Sequence, residues 1–182
     1  MRSFPVFSIS VLGFLVISVC ALAKKPDSEA KNQTPVFLNA PEVHQQQLEN
    51  FLNQHTHPSE KSKIQFLLET IGHSPNKYLR NGQIYSASVT AQWFKWKKTH
   101  SQFKKKPIIA ARDFVERVTS FSLKTGLPYA VTFPDGRSMP LLKVLQNELE
   151  ALESAIAESA AKLEAEKIKA TLEAAGAQVE LK

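Results

Sequence analysis

Residues 59–86 read SEKSKIQFLLETIGHSPNKYLRNGQIYS, and this stretch decides the fold because it contains a helix signal followed by a hairpin signal. In its first half, apolar residues recur at i, i+3, i+4 and i+7 from Ile64 to Ile71, which predicts an amphipathic helix. In its second half, Asn81-Gly82 separates two short arms that contain aromatic and β-branched residues. A type I′ turn needs positive φ at both central positions, so this pair predicts a β-hairpin.

Two further helices and one strand are predicted after the hairpin. Apolar and aromatic residues recur every three or four positions over 89–103, which predicts a helix with Trp93 and Trp96 on its buried stripe and the neighbouring lysines off it. A second helix is predicted at 108–121. Turn residues then bound a lone strand at 129–133.

The last long helix is predicted to begin near Pro140. Its apolar residues alternate three-four spacing over more than three heptads with Glu-rich flanks, which is typical of a coiled-coil seam. Such a seam could support self-association or bind a partner helix. A stop at Gly176 and a short strand at 179–181 are predicted to close the chain. The seam residues are Leu145, Leu149, Leu152 and Ile156.

The predicted fold is therefore mainly α (α+β), a small helical domain with one β-hairpin and a lone strand, plus a long C-terminal helix. The compact domain is expected at 59–150. A C-terminal helix extension and short strand are expected at 151–182. Residues 24–58 are polar and interrupted by prolines, so we expect a linker in which a short helix can form at 42–54.

The N-terminal 1–23 segment has the parts of a secretory signal peptide. Arg2 precedes a long uncharged apolar run, and Ala21-Leu22-Ala23 places small residues at the cleavage positions. We expect cleavage after Ala23 and a periplasmic or secreted protein. Two alternatives stay open, an uncleaved membrane anchor and lipidation at Cys20. Cys20 is the only cysteine, so a chain cleaved after Ala23 has no disulfide and no thiol nucleophile.

Charge is distributed unevenly along the chain, whose formal net charge is +6. Residues 60–139 hold fourteen Lys or Arg against five acids, whereas residues 140–182 hold five Lys against eight Glu. The basic run could bind an anionic envelope component or face the chain's own Glu-rich helix. Its aromatic residues follow core spacing, so no nucleic acid is expected as a partner. The basic residues in question are Lys95, Lys97, Lys98, Lys104, Lys105, Lys106 and Arg112.

Arg80 is the hairpin residue that turn geometry does not require. Its planar guanidinium could hold a carboxylate, either that of Asp113 within the fold or that of a ligand. If Arg80, Tyr85, Asp113 and Tyr129 converged, they could line the pocket of an uncharacterised enzyme. The sequence contains no serine-hydrolase elbow and no phosphate-binding glycine loop, so no catalytic residue, metal or cofactor is expected.

The order of motifs between 64 and 145 resembles the bacterial envelope family catalogued as domain of unknown function 5329. The resemblance rests on Leu79-Arg80-Asn81-Gly82, Asp113-Phe114-Val115, Gly126-x-Pro128-Tyr129 and Asp135-Gly136. It implies an export signal and a small helical domain with a minor β element, and it implies no activity. Members often carry a cysteine where this chain has Asn76-Lys77, and His-Leu where it has Trp93-Phe94, so roles of those residues do not transfer.

Residues 165–182 are similar to the end of the ribosomal stalk protein's C-terminal domain, a likeness that we attribute to convergence. Partners are expected among envelope proteins or anionic envelope components, with membrane contact only peripheral or through an uncleaved signal. The first hypothesis is a non-enzymatic binding or interaction module.

Overall fold

A computed structural model describes residues 34–176. The predicted signal peptide and the predicted strand at 179–181 lie outside these described residues and stay predictions. Within 34–176, none of the helices is both long enough and apolar enough to span a membrane.

The described residues form a mainly helical α+β fold, which confirms the predicted class. The helices are α1 (Pro41–Gln54), α2 (Glu60–His73), α3 (Ala87–Lys97), α4 (Ala111–Asp113) and α5 (Leu141–Ala174). The strands are β1 (Lys77–Arg80), β2 (Gln83–Ser86), β3 (Ala130–Thr132) and β4 (Ser138–Pro140). A 3₁₀ turn covers Ser101–Phe103, and a π-helical turn over Phe114–Val118 continues α4.

The β-hairpin forms at the predicted turn. Asn81 has a φ of 51° and Gly82 a φ of 77°, the left-handed values that the turn requires. Tyr78 pairs with Tyr85 across the two strands. The helix before the hairpin begins at Glu60, where the Ser59 hydroxyl accepts a hydrogen bond from the Ser62 N–H at 3.2 Å.

The sheet has four antiparallel strands in the order β2-β1-β3-β4. The strand predicted at 129–133 is β3, and it is not alone, since β1 pairs with it on one side and β4 on the other. Sequence reasoning missed β4 because that strand is three residues long and contains Pro140. Proline fits there because β4 lies at the edge of the sheet.

The segment predicted as a polar linker belongs to the fold. The short helix expected there is α1, and Leu38, Leu48 and Phe51 join the hydrophobic core. The Leu38 N–H donates to Glu148 Oε1 at 2.6 Å, and His44 Nδ1 lies 3.0 Å from Glu148 Oε2. A few apolar residues spaced far apart are enough to attach this segment to α5.

The buried face of α3 differs from the predicted stripe. Val89 and Trp96 are 50% and 51% exposed. The residues that α3 buries are Ala87, Thr90, Phe94 and Lys97. The prediction that Lys97 lies off the buried face was therefore wrong.

The helix predicted at 108–121 is shorter, since α4 and the π-helical turn cover 111–118. Ala111, Phe114, Val115 and Val118 are buried. Phe121 lies beyond the end of the helical turn and is exposed.

The predicted seam of α5 faces the core of the same chain. Leu145, Leu149 and Leu152 are buried, and Ile156 packs against the core from its edge. The three-four spacing suits a core-facing helix as well as a coiled coil, and here the fold itself covers those side chains. Beyond Ile156, α5 is mostly exposed.

Candidate functional site

A cavity of about 210 Å³ lies between the sheet and α3. Its walls are mainly aromatic and apolar, and no acidic side chain is among the described residues that line it. An apolar concavity with a few polar groups is the usual form of a small-molecule site. The aromatic and cationic side chains that line it are Tyr78, Arg80, Tyr85, Trp93, Phe94 and Tyr129.

The strand register explains why these side chains meet. Tyr78 and Arg80 are two positions apart on β1, so they project from the same face of the sheet. Tyr85 is directly opposite Tyr78 and shares that face. Trp93 comes from α3, and Tyr129 immediately precedes β3, the other neighbour of β1.

Arg80 stacks on Trp93 at the cavity. The Arg80 Cζ atom is 3.7 Å from the centroid of the indole, a close cation–π contact. Within residues 34–176, the buried Arg80 Nε and Trp93 Nε1 have no hydrogen-bond partner. A buried donor without an acceptor costs about 1–3 kcal/mol, so both atoms favour an acceptor from outside the chain.

The internal carboxylate considered for Arg80 is not its partner. Asp113 Oδ1 is 3.3 Å from Arg117 Nη1, one helical turn away. Among the described residues, Arg80 forms no ion pair. The pairing of Arg80 with Asp113, one of the two predicted alternatives, is therefore not formed.

Lys97 lies beneath this site as a fully buried cation. Its Nζ atom donates to the main-chain oxygens of Val118 and Phe121, each at 2.5 Å, and is 3.4 Å from the Tyr129 hydroxyl oxygen. Val118 is the last residue of the π-helical turn, so its carbonyl oxygen has no acceptor role within that turn. The Lys97 ammonium donates a hydrogen bond to this oxygen instead. Lys97 therefore belongs to the core and not to the predicted surface patch.

Burial and neighbouring charge determine the protonation of these groups. Burial, together with the positive charge of nearby Arg80, lowers the pKa of Lys97 to about 8. Burial raises the pKa of the Tyr129 hydroxyl, although nearby Trp93 and Arg80 oppose the shift. The Trp93 indole N–H is close enough to the Tyr129 hydroxyl to lower the pKa of that hydroxyl. The two groups do not have the geometry of a hydrogen bond. The phenol is thus neutral at physiological pH and available as a donor.

The structure divides the remaining basic residues among three places. Lys98 is partly buried, and burial lowers its pKa; the positive charges of Lys95 and Lys61 lower the pKa of Lys98 as well. Arg112 lies 3.6 Å from Glu153 of α5, one contact between the basic run and the Glu-rich helix. The three exposed lysines of the loop before α4 are Lys104, Lys105 and Lys106.

Sequence reasoning found part of the cavity. It named Arg80, Tyr85 and Tyr129, and the structure brings these three together. It placed Trp93 on a buried stripe and so missed its role as the surface on which Arg80 stacks. A signal was present, since Thr90, Phe94 and Lys97 also follow helical spacing and define the true buried face.

The fold and the cavity define a small α+β domain with an aromatic, cationic pocket. The chain matches a family of unknown function, DUF5329, over residues 58–153, which is more than half of its length, and the chain belongs to this family. The resemblance noted from the hairpin and turn motifs is thereby confirmed. The matched residues contain every side chain that lines the cavity. No curated protein and no solved structure matches the chain.

Proposed function

We propose that this chain is an exported envelope protein that acts as a non-enzymatic binding module. Its ligand is a small molecule with a flat apolar body and a carboxylate, held in the cavity between the sheet and α3. The observation that carries the proposal is Arg80, a partly buried cation in an apolar cavity, whose Nε lacks an acceptor among the described residues.

Charge favours an anionic ligand. Arg80 and Lys97 place two cationic side chains at and beneath the cavity, and no described acid lines it. A carboxylate at Arg80 would satisfy the buried Nε with a charge-assisted hydrogen bond, which is stronger than a neutral one. The same carboxylate would reduce the repulsion between the two cations.

The size and the lining favour a flat apolar body. An engineered cavity of about 150 Å³ holds benzene, so about 210 Å³ accommodates an aromatic ring with a carboxylate attached. Tyr78, Trp93 and Phe94 provide aromatic surface against which such a ring can pack.

The absence of an enzymatic role is part of the proposal. Lys97 is the amine beneath the cavity, but its donors are directed at two main-chain oxygens and the Tyr129 hydroxyl. An amine committed in this way serves structure better than catalysis. Export is supported by the signal-peptide pattern of residues 1–23, with cleavage after Ala23 and a periplasmic or secreted location.

Tryptophan fluorescence tests the proposal directly, because Trp93 lines the cavity. The chain's other tryptophan, Trp96, follows three residues later on α3. The Trp96→Phe variant leaves Trp93 as the sole reporter. We expect a saturable change in its emission on titration with benzoate or phenylacetate. Benzamide has nearly the same shape but no charge, and it should bind at least about tenfold more weakly, since hydrogen bonds to charged groups are worth about 1.5–3 kcal/mol.

The matched variants are Arg80→Met and Arg137→Met in the same background. Arg137 is exposed and pairs with Asp135, away from the cavity. Arg80→Met should abolish saturable benzoate binding, whereas Arg137→Met should leave it unchanged. Equal binding of benzoate and benzamide, or benzoate binding that survives Arg80→Met, would contradict the proposed site.

A further inference from the structure

A second surface lies on the loop that leads into α4. Residues 104–109 read KKKPII and connect the 3₁₀ turn to α4. The core holds both ends of this loop, because Phe103 and Ala111 are buried. The Arg117 side chain also donates to the main-chain oxygen of Lys106 at 2.7 Å. The loop is therefore presented from a fixed base.

The loop exposes cationic and apolar side chains next to each other. Lys104, Lys105 and Lys106 are exposed, and none forms an ion pair with a described residue. Ile108 packs against the core, whereas Ile109 is 71% exposed, more than any other large apolar side chain in the described part of the chain. Internal packing explains Ile108 but gives no reason for an isoleucine at 109.

We propose that loop 104–109 docks onto the surface of a lipid bilayer that contains anionic phospholipid. The three lysines would lie at the headgroup phosphates, where positive charge is attracted to the surface. Ile109 would enter the boundary between headgroups and acyl chains, where its exposed apolar surface is removed from water. A soluble polyanion would use the lysines and leave Ile109 in water, so the isoleucine is the reason that we choose lipid.

This surface is separate from the ligand cavity. None of residues 104–109 lines the cavity, so we expect variants of the loop to leave the cavity intact. Benzoate binding by loop variants therefore reports whether the domain is folded, independently of vesicle binding. Circular dichroism provides the same check if the cavity ligand proves to be different.

Vesicle co-sedimentation at low salt tests the proposal with the full chain as recovered from expressing cells. The probes are vesicles of phosphatidylglycerol mixed with phosphatidylcholine, and vesicles of phosphatidylcholine alone. Each lysine near an anionic surface contributes about a fivefold gain in partitioning. Replacing Lys104, Lys105 and Lys106 with Ser should therefore weaken binding to the mixed vesicles by about a hundredfold, and Ile109→Ser should weaken it by about tenfold.

Matched controls separate the loop from general charge and hydrophobicity. Replacing Lys77, Lys124 and Lys162 with Ser removes the same charge from exposed sites elsewhere. Leu127→Ser removes an exposed apolar side chain from another turn. All variants keep the same N-terminal segment, so its contribution to vesicle binding is common to all. We expect each control to retain at least about a third of wild-type partitioning, because distributed charges act weakly beyond a Debye length of about 10 Å.

Three outcomes would overturn the proposal. The first is wild-type protein that does not prefer the anionic vesicles. The second is an equal loss in the loop variant and in its charge-matched control. The third is Ile109→Ser binding like wild type while immobilised heparin, a soluble polyanion, retains the protein through the same three lysines. That result would identify a polyanion surface in place of a lipid surface.

Discussion

At the scale of single residues, Lys97 has an environment that lysine rarely occupies. Its ammonium is fully buried and is held by two main-chain oxygens and a tyrosine hydroxyl, without a carboxylate. Burial lowers its pKa to about 8, and the usual value of about 10.5 applies in the unfolded chain. Between these two values the unfolded state binds more protons than the native state, so this residue makes stability rise with pH.

We therefore predict that the free energy of unfolding increases between about pH 8 and pH 9.5 because of Lys97. Urea denaturation at intervals across this range measures the slope. The Lys97→Met variant should lose the larger part of this slope, whatever its overall stability, and Lys98, whose pKa is also lowered, supplies the remainder with the same sign. Tyr78 and Tyr129 have raised pKa values, so their opposite contribution begins only as the unfolded chain reaches the ordinary tyrosine pKa of about 10.

The prediction is tested by how the free energy of unfolding changes with pH, and not by its value at any one pH. Lys97→Met leaves the Val118 and Phe121 oxygens without their donor and is expected to be less stable at every pH. Identical slopes in the wild type and in the variant would show that Lys97 keeps an ordinary pKa in the folded protein.

Residue identity also explains why one part of the site was predictable and another was not. Arg80 stood out because the turn requires Asn81 and Gly82 but not an arginine. Lys97 did not, because lysine is almost never fully buried, and a sequence pattern therefore assigns it to the surface. Only the packing of the π-helical turn and Tyr129 around Nζ makes that position tolerable.

At the scale of elements, the segment before α1 is attached to α5 by a buried carboxylate. Glu148 is fully buried, accepts the Leu38 N–H and lies beside His44. The neighbouring Asn147 side chain donates to the Val36 oxygen at 3.0 Å, which holds the same segment at a second point. These contacts join residues that are more than a hundred positions apart in the sequence, so no local sequence pattern predicts them.

We predict that Glu148→Ala lowers the free energy of unfolding by about 3 kcal/mol, because it leaves a buried N–H and a buried histidine without their partner. The control is Glu150→Ala on the exposed face of the same helix. That change should alter stability by less than about 0.5 kcal/mol. Urea denaturation at neutral pH measures both, and equal effects would mean that the segment is not attached through Glu148.

The same Leu→Ala substitution should change stability differently in the two halves of α5. Leu149 is buried in the core, whereas Leu163 lies on the exposed half of the helix. Leu149→Ala should cost about 3 kcal/mol through lost packing. Leu163→Ala should have almost no effect, since alanine also favours helix. Thermal melts of both variants test this, and a similar loss in both would place the second half of α5 against a partner.

Local signals predicted most of the elements. The α2 stripe, the Asn81-Gly82 turn and the spacing in α5 each follow from rules that act within about ten residues. The pairing of β4, the attachment of residues 34–40 and the orientation of α3 depend on contacts between distant segments. The α3 sequence carries two overlapping helical stripes, and only the rest of the fold determines which one is buried.

At the scale of the whole molecule, one small domain carries the two proposed binding surfaces. The cavity uses buried donors and aromatic walls, and the loop at 104–109 uses exposed lysines and Ile109. Both are contained in the family match, whereas the signal-peptide pattern precedes it. Together they support our proposal of an exported protein that binds a small anionic ligand close to a membrane surface.

In the proposed complex, the Arg80 Nε–H donates to a ligand carboxylate. Nitrogen-15 NMR of the protein observes this atom, and the Arg80→Lys variant assigns its signal by removing it. At benzoate concentrations that saturate the Trp93 fluorescence change, we predict a downfield shift of the Arg80 Hε proton and slower exchange with water, because a charge-assisted hydrogen bond forms. An Arg80 signal that stays unchanged at saturation would contradict the proposed hydrogen bond between Arg80 and the ligand carboxylate.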